Sequence, residues 1–316
     1  FAPVIRMFAM SAGALVHVAD YPIHGRPAGR RQQGLCSLRR PDQNAVITFP
    51  PENGESLIPM FRIAPIADIP RRTVSLAERD MATFVLVHGA WHGGWCWGPL
   101  ERSLRGCGHD VTSPTLTGLG ERSHLASPDI VPDTHVLDIV NHIKWKDLED
   151  VILVGHSYGG VIITGVAGRL PERIRALVYL DAIVPEKSGV SAIANRNPER
   201  TAAFRAQLAN GGFMVEPDLF DAWSDDPDHL AWLRAKCTPH PMRCLVEGVT
   251  LTGREAEVTD RHYILAERNK PSIFCEEYER VSGRPGWQCH AMPTKHDVMV
   301  EAPDALADLL QAISNR

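Results

Sequence analysis

VILVGHSYGG, the stretch from residue 151 to residue 160, decides how the fold is interpreted. Its first four residues form an apolar run that is typical of a buried parallel strand. The run ends in a G-x-S-x-G sequence centred on Ser157, and a helical pattern begins at Gly160. A strand, a glycine-rich turn and a helix in this order predict one unit of an α/β protein.

Ser157 is the residue that this turn presents. In a sharp strand-to-helix turn the central residue adopts a strained backbone conformation, and flanking glycines avoid the crowding that side chains would cause. Such a turn holds the Ser157 hydroxyl at the carboxyl end of the sheet, where a nucleophile is expected. Because G-x-S-x-G also occurs by chance, a glycine-rich turn without chemistry is the alternative.

The chain from residue 83 onward repeats this alternation. Strands are predicted at residues 83–87, 109–112, 151–154, 177–181, 261–265 and 287–291, and helices at 95–106, 134–145, 160–169 and 302–313. This pattern predicts an α/β fold with a mostly parallel sheet flanked by helices. Residues 186–257 interrupt it with the helical segments Pro198–Ala209 and Asp218–Lys236, and we interpret them as an inserted helical cap.

A serine hydroxyl needs a base to take its proton, and the base needs a partner to orient it. His296 is the best candidate base among the 14 histidines, because it follows a predicted strand, lies in a polar turn and precedes the last predicted helix. A surface histidine without a catalytic role is the alternative.

Two carboxylates compete for the orienting role. Asp181 directly follows the apolar segment ALVYL (176–180), at the sheet edge where ligands bind in open α/β sheets. Glu267 follows the next predicted strand, in a loop that contains no aspartate. We prefer Asp181, with Glu267 as the alternative acid. A structural aspartate that caps the turn before Pro185 is the other interpretation of Asp181.

Backbone N–H groups are expected to stabilise the negative charge that develops on a carbonyl oxygen during acyl transfer. Tyr158, the residue after the nucleophile, is expected to supply one N–H group. Ala90, in the loop HGAWHGG (88–94), is expected to supply the second. A phosphate site is a weak alternative for this loop, because it contains no lysine or arginine and matches neither phosphate-binding glycine motif.

Aromatic and apolar side chains are expected to line a pocket between the sheet and the cap. The predicted walls are Trp91, Phe204, Phe213, Met214, Phe220, Trp223 and Trp232, and His156 is a further predicted substrate contact. Such walls favour a small hydrophobic substrate. The chemistry needs no metal and no organic cofactor.

The composition argues against several other classes of protein. Of the 316 residues 44% are hydrophobic and 22% are charged, and the net charge is −5 without a long block of one sign. Neither nucleic acid nor an anionic membrane is therefore an expected partner, and no apolar stretch reaches the roughly 18 residues that span a bilayer. The seven scattered cysteines favour free thiols and a cytoplasmic location. A homodimer stays open.

Residues 1–80 differ from the rest of the chain. They contain ten arginines, no lysine and nine of the 24 prolines, and they show no sustained hydrophobic period. We interpret them as an irregular N-terminal extension to a domain of residues 81–316, with a targeting function as the alternative. A chain that begins at Met81 is expected to fold and keep its activity.

Three motifs resemble one family. FVLVHGAWHGGW (84–95), TLTGLGER (115–122) and VGHSYGG (154–160) are similar to the branch of α/β-hydrolases that contains plant hydroxynitrile lyases, plant methylesterases and small bacterial esterases. The resemblance covers residues 81–316 and implies an α/β-hydrolase fold with a serine, an acid and a histidine in that chain order. Many members carry an aspartate in the loop where this chain has Glu267. Other α/β-hydrolases carry the acid one sheet strand earlier, before a proline-containing turn, which supports Asp181.

Three positions separate the lyases of this branch from its hydrolases. The resemblance implies that the lyases carry a threonine at the place of Gly89 and often a glutamate at the place of His156. They also carry a lysine directly after the catalytic histidine, and this lysine helps to stabilise the departing cyanide. This chain has Asp297 at the last position, where it would repel an anion or, alternatively, point to solvent. Hydrolysis is the better interpretation, with a hydroxynitrile lyase as an alternative.

We expect a serine hydrolase that cleaves a small hydrophobic carboxylic ester through an acyl-enzyme intermediate. Some bacterial members of the branch cleave methyl carbamates of benzimidazole fungicides. A carbamate or amide hydrolase acting on an aromatic xenobiotic is therefore an alternative. A non-catalytic ligand-binding protein with the same fold is a further one.

Overall fold

The structure, a computed structural model, describes residues 81–194, 196–218 and 220–315. The predicted N-terminal extension, residues 1–80, lies outside the described residues.

A six-stranded parallel sheet forms the centre of the described chain. The described residues form eight strands in all, which are β1 (Thr83–Val87), β2 (Asp110–Thr112), β3 (Val151–His156), β4 (Ile174–Leu180), β5 (Met214–Val215), β6 (His240–Pro241), β7 (Arg261–Ala266) and β8 (Trp287–Met292). Six of them form one sheet in the order β2–β1–β3–β4–β7–β8, and every neighbouring pair in it is parallel. The predicted α/β class with a mostly parallel sheet is confirmed.

Helices cover both faces of this sheet. They are α1 (Gly98–Gly106), α2 (Pro132–Trp145), α3 (Gly159–Ala167), α4 (Pro198–Ala209), α5 (Phe220–Trp223), α6 (Pro227–Lys236), α7 (Arg243–Val246), α8 (Ile273–Val281), α9 (Val298–Glu301) and α10 (Pro303–Ser314). Val85 and Val87 pack with α2 and α3, whereas Phe84 and Leu86 pack with α1 and α10. Alternate residues of a strand point to opposite faces, and both faces are covered, so β1 is apolar from Phe84 to Val87. No helix in the described ranges is long and apolar enough to cross a membrane.

The parallel arrangement brings five loops to one edge of the sheet. The loops that follow β1, β3, β4, β7 and β8 all leave from the carboxyl ends of neighbouring strands. Ligands bind at this edge in open α/β sheets. The same loops carry the residues for which the sequence predicts chemistry.

Between β4 and β7 the chain leaves the sheet and forms α4 to α7 and the antiparallel pair β5–β6. The predicted helix Pro198–Ala209 has these bounds as α4. The predicted helix Asp218–Lys236 is instead two helices, α5 and α6. The helix is interrupted before Pro227, which has no N–H to donate, and the Asp226 carboxylate caps α6 by accepting two N–H groups of its first turn at 2.8 and 3.3 Å.

Candidate active site

Ser157 lies in the turn between β3 and α3, and its backbone φ is +54°. This left-handed conformation is strained for a residue with a side chain, as the motif predicts. Three hydrogen bonds hold it. The Ser157 N–H donates to Leu180 O at 3.2 Å, and its C=O accepts the N–H groups of Gly160 and Ile183, each at 3.1 Å.

Close approach of the backbone requires the two glycines of the motif. A Cβ atom at Gly155 would lie 2.6 Å from the carbonyl oxygen of Gly159. A Cβ atom at Gly159 would lie 2.5 Å from the carbonyl oxygen of Val87. Helix α3 therefore packs against β1 and β3 at a distance that only bare backbone permits.

A cavity of about 400 Å³ lies at this edge of the sheet, and both Ser157 and His296 line it. Its walls are mainly apolar and aromatic. Three of the predicted wall residues line it: Trp91, Phe204 and Trp223. Four do not: Phe213, Met214, Phe220 and Trp232.

Phe213 and Phe220, which were predicted to contact substrate, therefore need a correction. Phe220 packs against Trp223 with 4.7 Å between ring centroids, and the Arg234 guanidinium lies over its ring at 4.4 Å. Phe213 immediately precedes β5, and its carbonyl accepts the Met242 N–H at 2.8 Å. The Phe220 ring thus packs within the segment between β4 and β7, and the backbone of Phe213 is bonded within the same segment.

His296 and Asp181 form a buried hydrogen-bonded pair. His296 Nδ1 lies 2.6 Å from Asp181 Oδ2, and the two side chains are 7% and 0% exposed. Because a carboxylate can only accept, Nδ1 is the donor, and a neutral ring then carries its lone pair on Nε2. A lone pair at the cavity is what a general base needs.

Two further donors hold the Asp181 carboxylate. The Ala266 N–H donates to Oδ1 at 3.1 Å, and Asn269 Nδ2 donates to Oδ2 at 2.8 Å. Asn269 Nδ2 also lies 3.4 Å from His296 Nδ1. Glu267, the alternative acid, is exposed and makes no side-chain hydrogen bond to His296 in the described part of the chain. The structure thus brings Asp181, rather than Glu267, to His296.

The His296 ring lies against two other rings. Phe274 stacks on it with 4.6 Å between centroids and an angle of 17° between the planes, a contact that the sequence did not predict. The His156 ring lies at 4.5 Å, and its Nε2 donates to the carbonyl of His296 at 3.0 Å. Burial lowers the pKa of His156 well below its ordinary value, so this ring is neutral. His156 borders the cavity but is 0% exposed, and it supports His296 rather than offering a surface to substrate.

The peptide groups around Ala90 are held by three imidazoles. His88 Nδ1 donates to the carbonyl before Ala90 at 2.8 Å, and His92 Nδ1 donates to the carbonyl of Ala90 at 2.8 Å. The N–H after Ala90 donates to His240 Nδ1 at 3.3 Å. Ala90 lines the cavity, and its own N–H has no hydrogen-bond partner among the described residues. It is therefore available to an oxyanion.

Tyr158 lines the same cavity, and its backbone N–H likewise has no hydrogen-bond partner in the described ranges. His135 Nε2 donates to Thr117 O at 2.8 Å, so His135 Nδ1 accepts the Tyr158 hydroxyl at 3.0 Å. Burial raises the pKa of Tyr158 well above its ordinary value. The side chain is thus anchored in the core while the N–H remains free.

Asp297, which follows His296 in the chain, does not point to solvent. Its side chain is fully buried, and its Oδ2 lies 3.1 Å from His92 Nε2. It does not line the cavity, and its charge is offset by His92 rather than directed at a substrate. The interpretation that Asp297 points to solvent is wrong, because the side chain is buried against His92, a partner 205 residues away that no local pattern indicates.

Comparisons with known proteins identify the family of the chain. Residues 84–309 match the model of the alpha/beta hydrolase family. A carbendazim hydrolyzing esterase of Nocardioides sp. (strain SG-4G) is 42% identical over 244 residues, which are 74% of this chain and 100% of that protein. An alpha-hydroxynitrile lyase of Arabidopsis thaliana is 36% identical over 108 residues, which are 34% of this chain and 42% of that protein.

Solved structures share the same fold. An extracellular alpha/beta-hydrolase from a Paenibacillus species matches with a TM-score of 0.64 at 24% identity, over 73% of this chain and 98% of that chain. The predicted fold and the predicted family are confirmed. The chain belongs to the alpha/beta hydrolase family and is an esterase-type member of it.

Proposed function

We propose that the chain cleaves small hydrophobic carboxylic esters through an acyl-enzyme intermediate. One observation carries the proposal: Ser157 and His296 line one cavity, and His296 is hydrogen-bonded at 2.6 Å to the buried carboxylate of Asp181. A nucleophile, a base and an orienting acid are the set that acyl transfer by serine uses.

In this mechanism Ser157 Oγ attacks the substrate carbonyl while His296 Nε2 takes the hydroxyl proton. The N–H groups of Ala90 and Tyr158 stabilise the oxyanion. The imidazolium of His296, stabilised by Asp181, then protonates the leaving group. The same imidazole afterwards activates the water that hydrolyses the acyl-enzyme.

The cavity favours a neutral substrate. Its two arginines already have acidic partners: Arg196 pairs with the buried Glu277, and Arg200 pairs with Asp218 at 3.1 Å. Among the described lining residues no arginine is therefore left to attract an anionic substrate. The aromatic walls offer a surface on which an aromatic group can pack.

Aromatic carbamates are the second proposed substrate class. The relative that is 42% identical, and that the chain covers over its whole length, is named a carbendazim hydrolyzing esterase. A carbamate carbonyl is attacked by the same serine and its oxyanion is stabilised by the same N–H groups. No further residue is needed for this substrate.

Gly89 weighs against cyanohydrin cleavage. A Cβ atom at this position would lie 2.9 Å from Ser157 Cβ and 3.0 Å from His156 Nδ1. The threonine that the resemblance implies for lyases therefore does not fit without a shift of the nucleophile. Asp297, in place of the lysine, is already paired with His92.

Labelling and turnover test the proposal. The wild-type protein is expected to hydrolyse p-nitrophenyl butyrate, and a fluorophosphonate probe is expected to label Ser157. Ser157→Ala is the control, and its kcat is expected to fall by a factor of about 10⁵–10⁶. A folded wild type with neither turnover nor label would disprove the proposal. Comparing kcat/KM for aryl methyl carbamates, aliphatic esters and cyanohydrins then ranks the substrate classes.

We also propose that the enzyme works in the cytoplasm. The six cysteines in the described part of the chain are free thiols, and reducing compartments keep thiols in that state. Fractionation of the producing cells, followed by detection of the protein, tests the location.

A further inference from the structure

A second histidine–aspartate pair lies beside the first. Asp297 follows His296 in the chain, and its Oδ2 lies 3.1 Å from His92 Nε2. The two side chains are 0% and 2% exposed. His92 Nδ1 contacts Ala90 O at 2.8 Å, so both of its ring nitrogens are engaged. The pair is therefore not placed to exchange a proton with a substrate.

The hydrogen bonds define where the protons of this pair lie. The carbonyl of Ala90 can only accept, so His92 Nδ1 carries a proton, and Nε2 faces the carboxylate. Burial acts to lower the pKa of His92, but the charge and hydrogen bond of Asp297 raise it above its ordinary value. Burial acts to raise the pKa of Asp297, but His92 holds it below its ordinary value. With Asp297 ionised, Nε2 donates to its carboxylate while Nδ1 donates to Ala90 O, so both ring nitrogens carry protons and the hydrogen bond to Ala90 O is charge-assisted.

The loop that this hydrogen bond holds is strained. Trp91, the residue after Ala90, has a φ of +64°, a conformation that persists only where the surroundings hold it. The Trp91 N–H donates to His240 Nδ1 at 3.3 Å, and its ring Nε1 donates to Val215 O at 2.9 Å. The link through His92 holds the other end of the same peptide group and joins it to the residue that follows His296.

We propose that Asp297 and His92 are positioning residues. They hold the carbonyl of Ala90 and thereby fix the residue whose N–H, on the preceding peptide group, is an oxyanion donor, in place relative to His296. The inference rests on the proposed function, because it concerns the same acyl transfer. A preorganised donor stabilises the transition state more than the bound substrate. Weakening the link therefore lowers kcat and leaves KM nearly unchanged.

Two single variants test this link. His92→Phe keeps an aromatic ring but removes the Nδ1 donor, and kcat for p-nitrophenyl butyrate is expected to fall about 10-fold to 100-fold, less than for complete loss of an oxyanion donor. Asp297→Asn keeps the shape and leaves a neutral His92 able to donate to Ala90 O. The expected fall is then about 3-fold to 10-fold, because the hydrogen bond loses its charge assistance. KM is expected to stay within about two-fold of wild type in both.

A double variant and a control separate positioning from general stability. Because the carboxylate acts through the imidazole, the variant with both His92→Phe and Asp297→Asn is expected to have the kcat of His92→Phe alone. Asp133→Asn is the matched control. It removes a carboxylate that pairs with Arg169 at 2.9 Å outside the cavity, and it is expected to keep the wild-type kcat.

Three results would overturn the inference. The first is a kcat within about two-fold of wild type in both single variants. The second is loss of the native circular dichroism spectrum in both, which would make the pair structural only. The third is a double variant whose fold-loss of kcat equals the product of the fold-losses of the two single variants. An inactive wild type would overturn the proposed function together with this inference, whereas an active wild type with unaffected variants overturns the inference alone.

Discussion

The two histidine–aspartate pairs of the site are chemically alike and differently surrounded. In each pair a fully buried carboxylate oxygen lies close to an imidazole nitrogen, at 2.6 Å between Asp181 and His296 and at 3.1 Å between Asp297 and His92. The Asp181 carboxylate receives two more donors, a backbone N–H and an amide. In the described ranges Oδ1 of Asp297 has no hydrogen-bond partner.

The second ring nitrogen determines what each pair can do. His296 uses Nδ1 for Asp181, and its ring lines the cavity with Nε2 left for a proton from Ser157. His92 uses Nε2 for Asp297 and Nδ1 for a backbone carbonyl. An imidazole with both nitrogens engaged as donors has no lone pair to offer. The same pair of residue types therefore serves a base in one place and holds a loop in the other.

The largest effect that separates the two pairs is expected from Asp181→Asn. An amide can donate to His296 Nδ1, which favours the tautomer with the lone pair on the wrong nitrogen. We expect kcat for p-nitrophenyl butyrate to fall by up to about 10⁴, far more than in Asp297→Asn. Glu267→Gln, which changes an exposed carboxylate after β7, is the matched control and is expected to stay close to wild type. An inactive Glu267→Gln with an active Asp181→Asn would reverse the assignment of the acid.

The nucleophile turn and the first pair could be predicted from the sequence because their signals are local. Ser157 has glycines at fixed offsets between an apolar run and a helical pattern. Asp181 and His296 each lie in a loop after a predicted strand, and a parallel sheet brings such loops to one edge. Topology alone then places three distant residues together.

The second pair could not be predicted in this way. Local patterns around His92 and Asp297 contain no sign of a contact across 205 residues of chain. Phe274 stacks on His296 from α8, a helix of nine residues that is too short for its period to stand out. Phe220 shows the opposite error, because hydrophobicity alone does not tell which side of a short helix faces a cavity.

A smaller effect is expected from moving the acid to the neighbouring loop. Asn269 Nδ2 lies 3.4 Å from His296 Nδ1, so a carboxylate at this position can reach the ring after a small shift. Adding Asn269→Asp to Asp181→Asn is expected to recover kcat about 10-fold to 100-fold, a part of the roughly 10⁴-fold that the orienting acid contributes. Steady-state kinetics of the single and double variants measure the recovery.

The control for this prediction is Asn269→Ala in the same Asp181→Asn background, which adds no carboxylate. It is expected to recover nothing. If Asn269→Asp also recovers nothing, a carboxylate near Nδ1 is not sufficient. The donors that hold Asp181, at 3.1 and 2.8 Å, would then be what distinguishes the first pair from the second.

The smallest effect concerns stability and contrasts His92 with its neutral neighbours. Burial lowers the pKa of His88 to about 3 and that of His135 to about 4, whereas the pKa of His92 is raised. Below about pH 6.5 the unfolded chain therefore binds protons at His88 and His135 that the folded chain does not bind. The free energy of unfolding is expected to fall as the pH falls toward 4, by about 1.4 kcal/mol per pH unit for each such imidazole.

Urea unfolding between about pH 7.5 and pH 4.5 measures this slope. His135→Gln removes one neutral imidazole and is expected to reduce the slope by about 1.4 kcal/mol per pH unit. His124→Gln removes an exposed imidazole and is expected to leave the slope unchanged. An unchanged slope in His135→Gln would mean that His135 keeps its proton in the folded state as His92 does. His135 and His92 would then both be charged in the folded protein. A charged imidazole would therefore not distinguish the His92–Asp297 pair from the other buried histidines.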